Sequence, residues 1–173
     1  MILEIKYWPD TCLRQVAEEV DPKDPEVGKL IGDLFETMYH DNGMGLAATQ
    51  CAIPKRVLVL DGTLAGGKER RAFVNPVIVE KTEKTITTEE GCLSFPGVFA
   101  KVERHDGVIV ECDDGLTGEK ETVILTGVDA VILQHELDHL NGIVFYDHLG
   151  PAKKRMLDEK VRKNVKKINR RKK

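Results

Sequence analysis

The sequence predicts an α+β fold: short antiparallel sheets around a central metal-binding helix, with further helices toward the N- and C-terminal ends. Three observations predict it. Apolar stretches between residues 56 and 125 are short and separated by turn residues, the pattern of hairpins rather than of strand–helix–strand crossovers. Helical periodicity is concentrated near residues 25–38, 127–140 and in the tail. The middle one of these segments carries His135 and His139 four residues apart, so both imidazoles can face one ion.

Each element has its own local reason. Asp24 as cap and Pro25 in the first turn open a helix whose apolar stripe is Val27, Leu30, Ile31, Leu34, Phe35 and Met38. It leads into Gly43-Met44-Gly45-Leu46-Ala47-Ala48-Thr49-Gln50, where alternate glycines let a ligand approach the backbone and expose its amides. The Gly-Lys-Ser/Thr ending of a phosphate loop is missing there. Arg56–Asp61 reads as a buried strand, as do Gly107–Cys112 and Thr122–Leu125, with a turn over residues 113–118 between the last two. In Glu89-Glu90-Gly91-Cys92-Leu93-Ser94-Phe95-Pro96, glycine allows close backbone approach and Pro96 is expected to end any strand, leaving the Cys92 thiol at a rigid bend. Thr126 as N-cap and Asn141-Gly142 as stop bracket a helix over residues 127–140. Val128, Val131 and Ile132 lie on the face that ends in the histidines, which turns that face toward the core.

Two neutral nitrogens leave a divalent ion under-coordinated, and Cys92 is the best candidate for a third ligand. Cys12, Cys51 and Cys112 read as buried free thiols, and no Cys-x-x-Cys pair suggests a structural zinc site or a redox motif. Glu136 lies about 60° around the helix from His139, too far to be an obvious ligand but near enough to reach a water at the ion. A Lewis acid, a water of lowered pKa and a base are what metal-assisted hydrolysis needs. His40, His105 and His148 fall outside any ligand spacing.

In order and spacing, Gly43-x-Gly45-Leu46-Ala47-Ala48-x-Gln50, Glu90-Gly91-Cys92-Leu93-Ser94 and Gln134-His135-Glu136-x-Asp138-His139 resemble the three motifs of the peptide deformylases. The likeness runs from the opening strand and Pro9-Asp10 to about Pro151. It implies removal of the formyl group from the initiator methionine of nascent polypeptides, with Cys92, His135 and His139 as metal ligands and a water in the fourth place. By the same resemblance Glu136 is the general base, Gln50 and the backbone N–H of Leu93 stabilise the oxyanion, and Gly45 bonds the substrate backbone. The ion it implies is Fe²⁺, with Zn²⁺, Ni²⁺ or Co²⁺ as substitutes; ligand spacing alone points to zinc. Met44, Val128, Val131 and Ile132 are the natural lining for the methionine side chain. Some members of the family carry an arginine a few residues past the cysteine; here that stretch is Gly97-Val98-Phe99, and the next cations are Lys101 and Arg104.

At 173 residues and 41% hydrophobic content, the chain can bury one good core, read as a single catalytic domain over residues 1–150. No 18-residue apolar stretch and no basic-then-apolar start appear, so neither a membrane span nor a secretory signal is expected, and unpaired cysteines fit the cytoplasm. Residues 151–173 are different. They hold 12 of the 26 Lys+Arg and 2 of the 29 Asp+Glu, a net +10 against −13 for the rest. Met156, Leu157, Val161, Val165 and Ile168 form a helical stripe, so this tail is expected to be a basic amphipathic helix that could contact ribosomal RNA. Two other classes share parts of this pattern. A general His-Glu-x-x-His metallopeptidase would cleave internal peptides, and an RNA-binding module with a structural metal would need no Glu136.

Overall fold

A computed structural model describes residues 1–173 as an α+β fold. Three helices, α1 (Pro25–His40), α2 (Gly127–Leu140) and α3 (Pro151–Arg171), accompany seven strands. The strands are β1 (Gly45–Ala47), β2 (Val57–Asp61), β3 (Arg70–Lys81), β4 (Thr85–Cys92), β5 (Phe95–His105), β6 (Gly107–Asp114) and β7 (Lys120–Thr126). Five of them form an antiparallel sheet in the order β1-β2-β3-β6-β7, and β4 and β5 form a separate hairpin.

The sheet is packed on both faces, and β2 shows why its sequence is apolar without interruption. Side chains alternate across a strand. Leu58 and Leu60 therefore join the cluster under α2 with Phe73, Val110, Leu133 and Leu137, while Val57 and Val59 join Leu30, Leu34 and Met38 of α1 on the opposite face. A third cluster gathers Trp8, Phe95, Val98, Phe145 and Val161, with Trp8 stacked on Phe95 at 5.4 Å between ring centroids. This cluster seats α3 against β5.

The helices start and stop largely where the sequence predicts, with one local difference. Asp24 caps α1 by accepting from the Glu26 N–H. Thr126 stands at the N-cap of α2 but its side chain makes no capping bond, and the next residue, Gly127, has φ +60°. A left-handed first residue, open only to glycine at low cost, starts this helix instead. At its other end Gly142 has φ +72°, as a stop requires.

Residues 70–105 depart further from expectation. Strands β3 and β5 run for 12 and 11 residues, not as short segments. Pro96 does not end a strand; it is the second residue of β5, and the bend lies before it, at the Leu93–Ser94 turn that follows a register break between Gly91 and Cys92. In the tail Val161 is buried and Leu157 and Val165 pack against it, but Met156 is 69% exposed and stands off the stripe.

Candidate active site

Helix α2 crosses the sheet as a buried rod. Eleven of its residues from Asp129 to Leu140 are buried, so it is enclosed nearly all round rather than on one apolar face. Its last two turns carry His135, Glu136 and His139, exposed by 7%, 5% and 1%. Cys92 arrives from the end of β4, and Gln50 from the short turn that follows β1. One ligand atom each from Cys92, His135 and His139 lies within 4.8 Å of the others. Cys92 Sγ and His139 Nε2 are 3.3 Å apart, close to the separation of about 3.5 Å that two such ligands have on a common tetrahedral ion.

The surroundings orient these donors. His135 Nδ1 bonds Glu90 Oε1 at 2.8 Å, which leaves Nε2 for an ion. Arg104, 4% exposed, grips both Glu90 oxygens at 2.8 and 2.9 Å and bonds Asp138 at 2.6 Å. Asp138 in turn meets His148 Nε2 at 2.8 Å. Gln50 accepts from the Ala47 N–H, and its Nε2 points to Ser94 Oγ at 3.1 Å and toward Cys92 Sγ at 3.6 Å. Gly45 lies against Glu136: a Cβ there would come within 2.6 Å of Glu136 Oε1, so any larger residue would displace that carboxyl.

Burial sets the titration of the site. It pushes the Glu136 carboxyl up to about 7 and drives His139 well below the ordinary imidazole range. Burial works against the charged form of Glu90 too, but hydrogen bonds from Arg104 and His135 overcome it and hold Glu90 at about 2. For His135 burial is again opposed, and the hydrogen bonds to Cys92 and Glu90 prevail to raise it well above its ordinary range. The site thus gathers a thiol, a neutral imidazole at His139 and a buried Glu136 Oε2 with no partner around one point. This donor set fits a divalent metal ion. Cys12, Cys51 and Cys112, by contrast, are buried thiols pushed up to about 12 by desolvation.

A cleft of about 660 Å³ opens onto the site. Met44, Gly45, Cys92, Leu93, Val128, Val131, Ile132, His135 and Glu136 line it, and His139 and Gln50 stand behind that wall. The structure therefore brings all the sequence-predicted site residues together. The family model described as Polypeptide deformylase matches residues 2–155.

The chain belongs to the peptide deformylase family. Among curated relatives, the peptide deformylase of Neisseria meningitidis serogroup C is 47% identical over 95% of this chain and 97% of its own length. That of Rhizobium meliloti is 43% identical over 91% of each. A crystal structure of a peptide deformylase from Legionella pneumophila superposes with a TM-score of 0.90 at 39% identity, covering 98% of this chain and 99% of that one. One from Ehrlichia chaffeensis in complex with actinonin gives 0.87 at 37% identity over 94% and 97%. The activity is deformylation, the hydrolytic removal of the N-terminal formyl group from nascent polypeptides. No helix is long and apolar enough to cross a membrane.

The supporting residues of this deformylase were the ones sequence reading passed over. Glu90 and Asp138 stand inside two of the motifs, and a carboxylate two residues before a ligand in a strand is a usable signal. Arg104 had none. Its pairing depends on the β4–β5 register, in which Arg104 lies opposite Ile86 and reaches along the sheet to Glu90.

Proposed function

We propose that Cys92, His135 and His139 hold one divalent ion and that Glu136 serves as general base and acid for deformylation of formyl-methionyl chains. The observation that carries this is the triad of half-buried Cys92 with buried His135 and His139, and the unpartnered Glu136 carboxyl beside it at the foot of the cleft. When bound, the ion supplies a Lewis acid that brings the ionisation of water near neutral pH. Glu136 takes the proton of the water that adds to the formyl carbon and returns it to the departing amine, releasing formate. Gln50 Nε2 and the backbone N–H of Leu93 stabilise the oxyanion, donors each worth about 10²–10³ in rate. Strand β1 is the edge of its sheet, so Gly45 can offer backbone bonds to an extended peptide. Met44, Val128, Val131 and Ile132 receive the methionine side chain. Selection there is graded, since an apolar pocket discriminates by about 1–3 kcal/mol per methylene.

Ferrous iron is the ion we assign, following the family resemblance, with zinc, nickel or cobalt as substitutes, since a thiolate beside two imidazoles suits each of these borderline cations. A reducing, cytoplasmic setting is our reading of location, supported by four free cysteines, one of them proposed as a thiolate ligand. Residues 1–150 form the catalytic domain, and 151–173 are a basic helix added to it. Lys163, Lys166, Lys167 and Arg170 are all exposed on that helix, and they supply salt-sensitive contacts to ribosomal RNA.

The test is formate release from formyl-Met-Ala-Ser by anaerobically purified protein, with metal content measured on the same sample. Turnover with stoichiometric iron, lost in air, is expected. No turnover when fully loaded with iron, nickel or cobalt overturns deformylation, and cleavage of internal peptides would point to a general metallopeptidase. For the tail, replacing those four cations by glutamine is expected to weaken ribosome binding and flatten its salt dependence. Unchanged binding removes the tail from the contact.

A further inference from the structure

We infer that Asp129 is a positioning residue for first-residue specificity, holding the Gly62–Glu69 loop as the outer wall of the cleft that takes the methionine side chain. The inference rests on the cleft assignment proposed above. Asp129 sits in the first turn of α2, beside Val128, and is 5% exposed. Its Oδ2 accepts from the backbone N–H of Lys68 at 2.8 Å and of Glu69 at 3.3 Å. Its Oδ1 finds no donor and is walled in by two glycines: a Cβ on Gly62 or Gly67 would come within 1.8 or 2.3 Å of it.

The loop does not need this contact in order to close. Gly62 N bonds Glu69 O and Gly67 N bonds Gly62 O, each at 2.8 Å. Asp61, also buried, fixes its start by accepting from the Thr63 N–H at 3.1 Å and from Tyr39 Oη at 2.6 Å. What Asp129 adds is a tie between the loop and the metal-binding helix. Ala65 in that loop lines the same cleft as Val128, Val131 and Ile132. The carboxyl therefore sets how near one wall of the cleft stands to the other, and the two glycines are the positions that let it come that close.

The experiment compares formyl-Met-Ala-Ser with formyl-Phe-Ala-Ser for the iron-loaded enzyme and four variants, reading kcat and KM separately along with metal content and Tm. Asp129→Ala is expected to raise KM for the methionine peptide and leave kcat within about twofold. The methionine-to-phenylalanine ratio of kcat/KM should fall about tenfold, the low end of what one methylene is worth in an apolar pocket. Asp129→Asn keeps an acceptor and should restore the ratio. Gly67→Ala pushes the loop away with the carboxyl still present and should reproduce the loss. Ala65→Leu, at an exposed site that folding tolerates, should shift the ratio the opposite way by thickening the wall. Lower Tm in Asp129→Ala and Gly67→Ala with an unchanged ratio overturns the inference, as does an unchanged ratio in Ala65→Leu if the other variants fail to fold. A wild-type enzyme that turns over neither peptide is instead the failure of the functional assignment.

Discussion

In α2, His135, Glu136 and His139 are at most 7% exposed, whereas in α3 Val161 alone is buried and nearly every lysine and arginine meets solvent. Both helices are rich in ionisable groups, and depth decides what those groups do. Around α2, several charges are paired through fixed partners, Glu90 to Arg104 and His135, Arg104 to Asp138, while the Glu136 carboxyl is left with a buried, unpartnered oxygen. Depth there separates two carboxyls: hydrogen bonds from Arg104 and His135 hold Glu90 at about 2 against the cost of burial, while desolvation lifts Glu136 to about 7. Around α3, water and salt screen each charge beyond about 10 Å, and what remains is a collective field suited to a polyanion. Buried charge is chemistry; exposed charge is attraction.

The largest effect that would break this contrast is at Glu136. Glu136→Gln keeps size and hydrogen bonding and removes the base, so kcat should fall by about 10²–10⁴ with the metal retained. Single-turnover kinetics with metal analysis measure it, and near-normal rates would remove Glu136 from the mechanism. Next is Arg104→Leu. It leaves buried Glu90 and half-buried Asp138 without the guanidinium they share, which should lower stability by about 3–5 kcal/mol. Metal affinity should drop about 10–100-fold as His135 loses its held partner. Urea unfolding and competitive metal titration separate the two effects. A loss in stability with unaltered metal affinity would make Arg104 purely structural.

These two residues also mark the limit of what the sequence made legible. Glu136 could be read because His135-Glu136-x-x-His139 is a local pattern with a fixed pitch, and α2 spans Gly127–Leu140 as bracketed. The apolar strand β2 and the capped α1 were legible for the same reason: period and caps are encoded within a few residues. Residues 70–105 were not, because β3, β4 and β5 are largely half-exposed and mix Thr, Glu, Lys and Arg with few apolar alternations. The Arg104 network exists only once those strands are in register, and nothing local to Arg104 announces it. Asp129 was hidden in the same way. An acidic residue in a first helical turn looks like an ordinary dipole contact until the 62–69 loop is seen folded over it.

For α3 the expected effects are smaller and of another kind. Val161 is its one fully buried residue, packed among Trp8, Phe95 and Phe145. Val161→Ala removes two buried methyl groups and should cost about 1–2 kcal/mol by thermal or urea unfolding, with kcat unchanged. A fall in kcat would mean that the β4–β5 hairpin transmits the seating of α3 to Cys92, and the two helices would then be coupled rather than separate in function.

The smallest effect is the sharpest test of exposure. Arg162 Nε meets Asp158 Oδ2 at 2.8 Å one helical turn apart, with the arginine side chain 51% exposed. Asp158 is held below the ordinary carboxylate range first by Arg162 and then by the Trp8 indole N–H. A group whose folded pKa is depressed contributes stability above its unfolded pKa, near 3.9, and loses it as pH falls through the lower folded value. Arg162→Ala should therefore cost no more than about 1 kcal/mol at neutral pH, less in high salt, and nothing once Asp158 is protonated in both states. The Trp8 bond is left in place by this substitution, so it does not confuse the comparison. A larger loss that salt does not reduce would show that this pair is shielded from water, and that α3 holds its charges in the manner of α2.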